Sequence, residues 1–243
     1  MKYNKQIFED GNILNASQLN HIEDSIASLY NDHVVDLFMM MGQSNMSGRG
    51  VASQSIVCKS GHGYEFRAIS DPTKLYDIIE PFGKNENNKS SGVTENSKTG
   101  SLVSAFCEKY YNITNIPIVA VSCSKGGTGM DFWNAEGKPV EDAINRYNIA
   151  KQWLINNSYT IRHSYMLWLQ GESDGGTGMS ANDYQTQLIA MFEKMKGAGI
   201  EKCFIIRIGN AKTNPTRHTQ IIKAQTQLCK KNSDFIMVNT TMD

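Results

Sequence analysis

Ser44 lies in the string Met41-Gly42-Gln43-Ser44-Asn45-Met46-Ser47-Gly48-Arg49-Gly50, directly after the apolar run Val34 to Met41. A serine on a tight turn at a strand's carboxyl end presents its hydroxyl to the crevice, and a flanking glycine lets the backbone approach a substrate. A second string, Ser124-Lys125-Gly126-Gly127-Thr128-Gly129-Met130-Asp131-Phe132-Trp133, follows the run Ile116 to Cys123. Attack on an ester creates an oxyanion that needs preorganised donors about 3 Å away, and a glycine N–H at a strand end can serve. The rival reading of this string, a phosphate-cradling loop, lacks the Gly-Lys-Ser/Thr ending of the Walker pattern. A third string, Leu167-Trp168-Leu169-Gln170-Gly171-Glu172-Ser173-Asp174, closes the run Ser164 to Leu169. Gln170 can donate a carboxamide N–H to an oxyanion, and Glu172 sits where the strand gives way to loop and a carboxylate can face the crevice. Taken singly, Glu172 and Asp174 read as solvated loop charges or caps, and Trp133 as a packing residue rather than a sugar platform.

Together the three strings resemble three motif blocks of the SGNH hydrolases, in the Gly-Gln-Ser-Asn-Met form of the sialate O-acetylesterase and acetylxylan esterase group. The resemblance runs from Val34 to the end of the chain. It implies a flavodoxin-like three-layer fold and Ser44 as the nucleophile. It also implies an oxyanion donor from the Gly-Gly pair, Gly127 preferred and Gly126 the near alternative. Gln170 takes the place of the Asn of more distant SGNH enzymes, and Glu172 becomes partner or orienter of a histidine. Gln43, Asn45, Arg49 and Gly126 are the expected substrate-facing positions, although an arginine holding the loop to a carboxylate is an equal reading of Arg49. The implied reaction is acyl transfer. Ser44 attacks an acetyl ester of a sugar, the Ser44 and Gly127 amides with Gln170 hold the oxyanion, and water releases acetate without any cofactor.

A serine hydroxyl needs a base, which the family places in an Asp-x-x-His block after the last strand. No such block occurs at Thr240-Thr241-Met242-Asp243. The expectation is that the base lies in a tail beyond Asp243; the alternatives are a histidine recruited from elsewhere or a fold that binds without turnover. Each of the five histidines has a plainer reading. His21 and His33 belong to the N-terminal segment, His62 to a variable loop, His163 to the wrong end of a strand, and His218 to a helix start. No His, Cys and carboxylate cluster has metal-ligand spacing, so no metal is expected. Two rival functions stand beside the enzyme: a carbohydrate- or receptor-binding module, and a structural virion component.

The elements that must position these residues read as alternating strands and helices. Beyond the three runs above, Cys203 to Ile208 and Phe235 to Asn239 are further candidate buried strands. Amphipathic helical patterns lie near Ser101 to Tyr111, Val140 to Asn156, Ala181 to Lys196 and Thr216 to Lys231. The alternation predicts an α/β fold, three-layer α/β/α, with a five-stranded parallel sheet and ligands beyond the strands' carboxyl ends. The Gly-, Ser- and Asn-rich stretch from Gly42 to Gly100 reads as functional loop with minor structure.

Residues 1–33 read as a helical appendage to a domain of residues 34–243. Asn15 can cap a helix in which Leu19, Ile22, Ile26 and Leu29 recur at spacings of three and four, either packed on the domain or forming an oligomerising stalk. The string from Phe8 to Ile26 resembles the opening of phage and prophage tail-fibre or baseplate proteins, implying trimeric assembly, attachment to a tail, and location in a virion. With 24 Lys plus Arg against 24 Asp plus Glu, the 243-residue chain has no overall pull toward nucleic acid or anionic membrane. The N-terminus lacks a signal-peptide run, no segment nears the roughly 18 apolar residues of a membrane helix, and the five cysteines read as free thiols made in a reducing cytoplasm.

Overall fold

The computed structural model describes residues 15–31, 33–86 and 92–240. The residues ahead of Asn15, the side chain of Leu29 and Asp243 lie outside the described residues. The chain forms two compact units, Met1–Val34 and Val35–Asp243. In the first, helix α1 spans Ala16–Asn31. Its start is a reciprocal cap: Gln18 N–H donates to Asn15 Oδ1 and Asn15 N–H to Gln18 Oε1, both at 3.0 Å, satisfying two otherwise orphaned donors. Leu19, Ile22 and Ile26 are exposed along it.

In order, the remaining elements are β1 (Val34–Gly42), α2 (Ser44–Ser47), β2 (Gly63–Arg67), β3 (Asp71–Asp77), α3 (Val103–Thr114) and β4 (Ile118–Ser124). There follow α4 (Lys138–Asn156), β5 (Thr160–Leu169), α5 (Glu172–Thr177), α6 (Ala181–Ala198), β6 (Lys202–Ile206), α7 (Thr219–Lys231) and β7 (Phe235–Asn239). The sheet order is β3-β2-β4-β1-β5-β6-β7. β1/β4, β2/β4, β5/β6 and β6/β7 pair in parallel, whereas β2/β3 is antiparallel. Every residue of β1 from Val35 to Gly42, and every residue of β4, is buried. Burial at consecutive positions means that both faces of the central strands are covered, as parallel sheets in three-layer α/β folds require.

The sheet therefore has seven strands where the sequence predicts five. The two extra strands form a hairpin inside the stretch read as loop. They escape a pattern search because β2 carries Glu65 and Arg67 within five residues, and β3 is an exposed edge strand holding Pro72, a residue that edges tolerate and interiors do not. The five expected runs are all strands, with Ile208 buried just beyond the end of β6.

In β1, Asp36 is fully buried, paired with Arg162 of β5 and accepting a hydrogen bond from the Tyr110 hydroxyl of α3. A carboxylate in that position requires such partners.

Candidate active site

β4, β1 and β5 are neighbours, so the loops leaving their carboxyl ends share one crevice. Backbone bonds join those loops: Lys125 N–H donates to Gly42 O and Gln43 N–H to Leu169 O, each at 3.0 Å. The second bond depends on glycine. Gly42 has φ +139°, and a Cβ there would stand 2.0 Å from Leu169 O.

Ser44 opens α2 half-buried, its N–H among those at a helix start that have no intrahelical acceptor. Its Oγ accepts from Gln43 Nε2 at 3.4 Å. Gln43 is buried, and its Oε1 accepts from Gln170 Nε2 at 3.2 Å and from the N–H groups of Gly171 at 3.3 Å and Ser173 at 3.2 Å. Three donors around that oxygen fix which way the amide points. Gln43 is thus the joint between the nucleophile turn and the third loop.

Gln170 is fully buried, and its amide nitrogen donates to Gln43 Oε1, to Thr128 O at 3.0 Å and to Asp174 Oδ2 at 2.5 Å. Three acceptors surround two amide hydrogens, so the sequence expectation of an oxyanion donor here meets a side chain whose donors are engaged. The Gln170 backbone oxygen in turn accepts from the Tyr184 hydroxyl and from Gln225 Nε2. Asp174, read as a solvated charge or cap, is instead buried between the second and third loops, and its Oδ1 accepts from Met130 N–H at 2.9 Å. Burial pushes its carboxyl pKa up, against the lowering effect of these two bonds. Trp133 is fully buried with Nε1 on Thr128 Oγ1, a packing residue.

The two glycines of the Gly-Gly pair differ. Gly126 N–H donates to Glu95 Oε2 at 2.6 Å, and Arg49 reaches the same oxygen at 3.0 Å. Gly127 has φ +72° with open space where a Cβ would be, and its N–H forms no hydrogen bond among the described residues. Arg49 also donates to Gly48 O and Ser97 O, which makes it a loop anchor.

Asn45 is half-buried and its Nδ2 donates to Glu172 Oε1 at 2.5 Å. The other carboxylate oxygen, Glu172 Oε2, is buried with no partner among the described residues. Burial raises the Glu172 pKa, the Asp174 carboxylate adds to this, and the Asn45 bond and the His218 imidazole oppose it. His218 is the histidine that Glu172 feels. It is buried at the start of α7 with Nδ1 3.0 Å from Gly209 O, and because a carbonyl only accepts, Nδ1 carries a proton. His62 pairs with Glu108 and stacks on Tyr111, and His163 pairs with Glu201.

Sequence reasoning missed the strap Thr94 to Gly100. Thr99 binds Gly48 O through N–H and Oγ1, Gly100 and Gly50 exchange two 2.9 Å backbone bonds, Glu95 holds Arg49 and Gly126, and Lys125 Nζ reaches Thr94 O. The strap therefore grips the first and second loops at once. A family model for carbohydrate esterase, sialic acid-specific acetylesterase, matches residues 34–242. The chain belongs to that family. Its fold is shared with an Arabidopsis thaliana protein at TM-score 0.65 and 19% identity over 84% of each chain. It is shared also with NanS, at TM-score 0.63 and 14% identity over 88% of this chain and 79% of NanS. A carbohydrate acetylesterase from Xanthomonas citri aligns at TM-score 0.52 and 14% identity, over 84% of this chain and 49% of its own. A comparison with curated proteins found no match. As a carbohydrate esterase, the family member has a crevice whose parts can be assigned to ester chemistry.

Proposed function

We propose that this esterase removes acetyl groups from an O-acetylated saccharide through an acyl-enzyme on Ser44. The observation that carries the reading is the contrast at the Gly-Gly turn beside the nucleophile loop: Gly126 N–H is taken by Glu95, and Gly127 N–H meets no acceptor among the described residues. Ser44 Oγ attacks the acetyl carbon, and the carbonyl oxygen becomes an oxyanion held by the Ser44 and Gly127 N–H groups. Collapse expels the sugar hydroxyl, which takes up the proton lost by Ser44. Water then attacks the acetyl-serine and releases acetate. Gln43, Gln170 and Asp174 are positioning residues in this scheme, and Asn45 with Glu172 forms the polar wall next to the nucleophile. Arg49 and Gly126 hold the loops through Glu95 rather than meeting the sugar.

The test is acetate release from an O-acetylated saccharide and hydrolysis of p-nitrophenyl acetate. Ser44→Ala is expected to lower kcat by at least about 10³-fold, as loss of a serine nucleophile does. Retained turnover in that variant overturns the reading, and saccharide binding without acetate release selects a binding module instead. His218→Ala reports on the base: loss of kcat assigns it to His218, and unchanged kcat assigns it elsewhere.

A further inference from the structure

Lys98 has 9% of its surface exposed, yet among the described residues no carboxylate contacts its ammonium. Nζ donates instead to two hydroxyls, Ser122 Oγ at 3.1 Å and Ser124 Oγ at 3.3 Å. These serines are two apart on β4 and so point to the same side of the sheet. Ser124 Oγ also accepts from Ser47 Oγ at 3.0 Å. Ser47 is the last residue of α2, the helix that Ser44 opens. Lys98 is thus linked through two hydroxyls to the nucleophile's own helix, while its neighbours Thr99 and Gly100 grip Gly48 and Gly50, which follow Ser47 in the chain. The C-terminal end of α2, one turn from Ser44, is therefore held by one buried side chain and the strap that carries it.

The charge on that side chain is finely placed. Burial is the largest influence and brings the Lys98 pKa down to about 8. Glu95 on the strap, Glu65 on β2 and the Cys123 thiol on β4 favour the charged form, and Arg146 on α4 opposes it. At neutral pH the ammonium makes charge-assisted bonds to both hydroxyls, which are roughly twice as strong as those of a neutral amine.

We propose that Lys98 is a positioning residue for Ser44: its ammonium fixes the Ser122–Ser124–Ser47 hydroxyl network that seats α2, and loss of its proton loosens the nucleophile. This rests on Ser44 being the nucleophile. The experiment measures kcat and KM for an acetyl ester from about pH 6 to about pH 10 in the wild type, Lys98→Met, Lys98→Arg and Ser47→Ala. For the wild type, kcat falls above about pH 8 while KM stays flat. In Lys98→Met, kcat at neutral pH drops roughly tenfold to 10²-fold, as small misplacements of a reacting group do, and the basic limb disappears. Lys98→Arg restores kcat and carries no limb in this range. Ser47→Ala, which keeps the buried cation, lowers kcat and flattens the limb, so the proposal can be tested even where Lys98→Met does not fold. A wild-type kcat flat to about pH 10, or a basic limb that survives in Lys98→Met or Ser47→Ala, overturns it. Ser44→Ala is run alongside. Activity surviving there sinks the nucleophile assignment itself, whereas a dead Ser44→Ala with unaltered Lys98 and Ser47 profiles removes the lysine alone.

Discussion

Glu172 keeps one carboxylate oxygen buried with no donor among the described residues, and burial raises its pKa. An acid whose pKa is raised by folding is favoured in its neutral form, so its ionised form weakens the fold as pH rises through the raised value. Glu172→Gln is therefore expected to melt at or above the wild-type Tm at pH 7, with the gap closing as pH falls through the carboxylate range, while kcat drops. A Tm well below wild type at pH 7, read by calorimetry, would count against this. At this scale the sequence placed Ser44 on a turn after a buried run, and the resemblance of its motif block, not the spacing, made it the expected nucleophile. It was silent about which glycine faces the crevice. Glu95, which takes up the Gly126 N–H, is remote in sequence and has no motif to announce it. Asp174 and Gln225 were equally hidden, because a polar residue beside a loop or on a helix betrays nothing of the acceptors and donors that bury it.

Among the elements, the strap Thr94 to Gly100 decides how the first two loops meet. Glu95 accepts from Ser97 N–H, Gly126 N–H and Arg49, and although burial pulls its pKa up, these bonds hold it below the usual carboxylate range. A depressed carboxylate stabilises the fold above its ordinary pKa, and the contribution is lost as pH falls through the lowered value. Glu95→Ala should cost about 1.5–3 kcal/mol, the range for a hydrogen bond to a charged group, and lower kcat by more than it changes KM. Urea unfolding and steady-state kinetics would read both, and an unchanged kcat would free the Gly-Gly turn from this carboxylate. Strands β1, β4, β5 and β6 were legible because buried parallel strands are apolar runs, and β7 because it stays apolar from Phe235 to Val238 although it is a largely exposed edge strand. The β2–β3 hairpin was not, since β2 carries Glu65 and Arg67 among its five residues and β3 is an exposed edge strand. The strap has no regular structure of its own and so leaves no periodic trace.

At the level of the whole molecule, the two units pose separate questions. The family match begins at residue 34, so the esterase chemistry belongs to the second unit. We propose that the first serves self-association, through the exposed Leu19, Ile22 and Ile26 of α1, whose spacings of three and four suit a coiled-coil seam. A seam this short is marginal, so the oligomer should dissociate on dilution. Light scattering is expected to show a trimer at high concentration that Ile22→Asp reduces to a monomer without loss of esterase activity. A monomer at every concentration would leave α1 without that role.

The five thiols have a practical consequence. None forms a disulfide, and burial pushes Cys58 and Cys229 to about 11, Cys123 to about 12, and Cys107 and Cys203 well above their ordinary value. In the native state they should be nearly inert to alkylating reagents, because the thiolate is the reacting form. They are spread over the loop before β2, helix α3, strands β4 and β6, and helix α7, so the order in which an alkylator marks them would chart which layer of the domain breathes first.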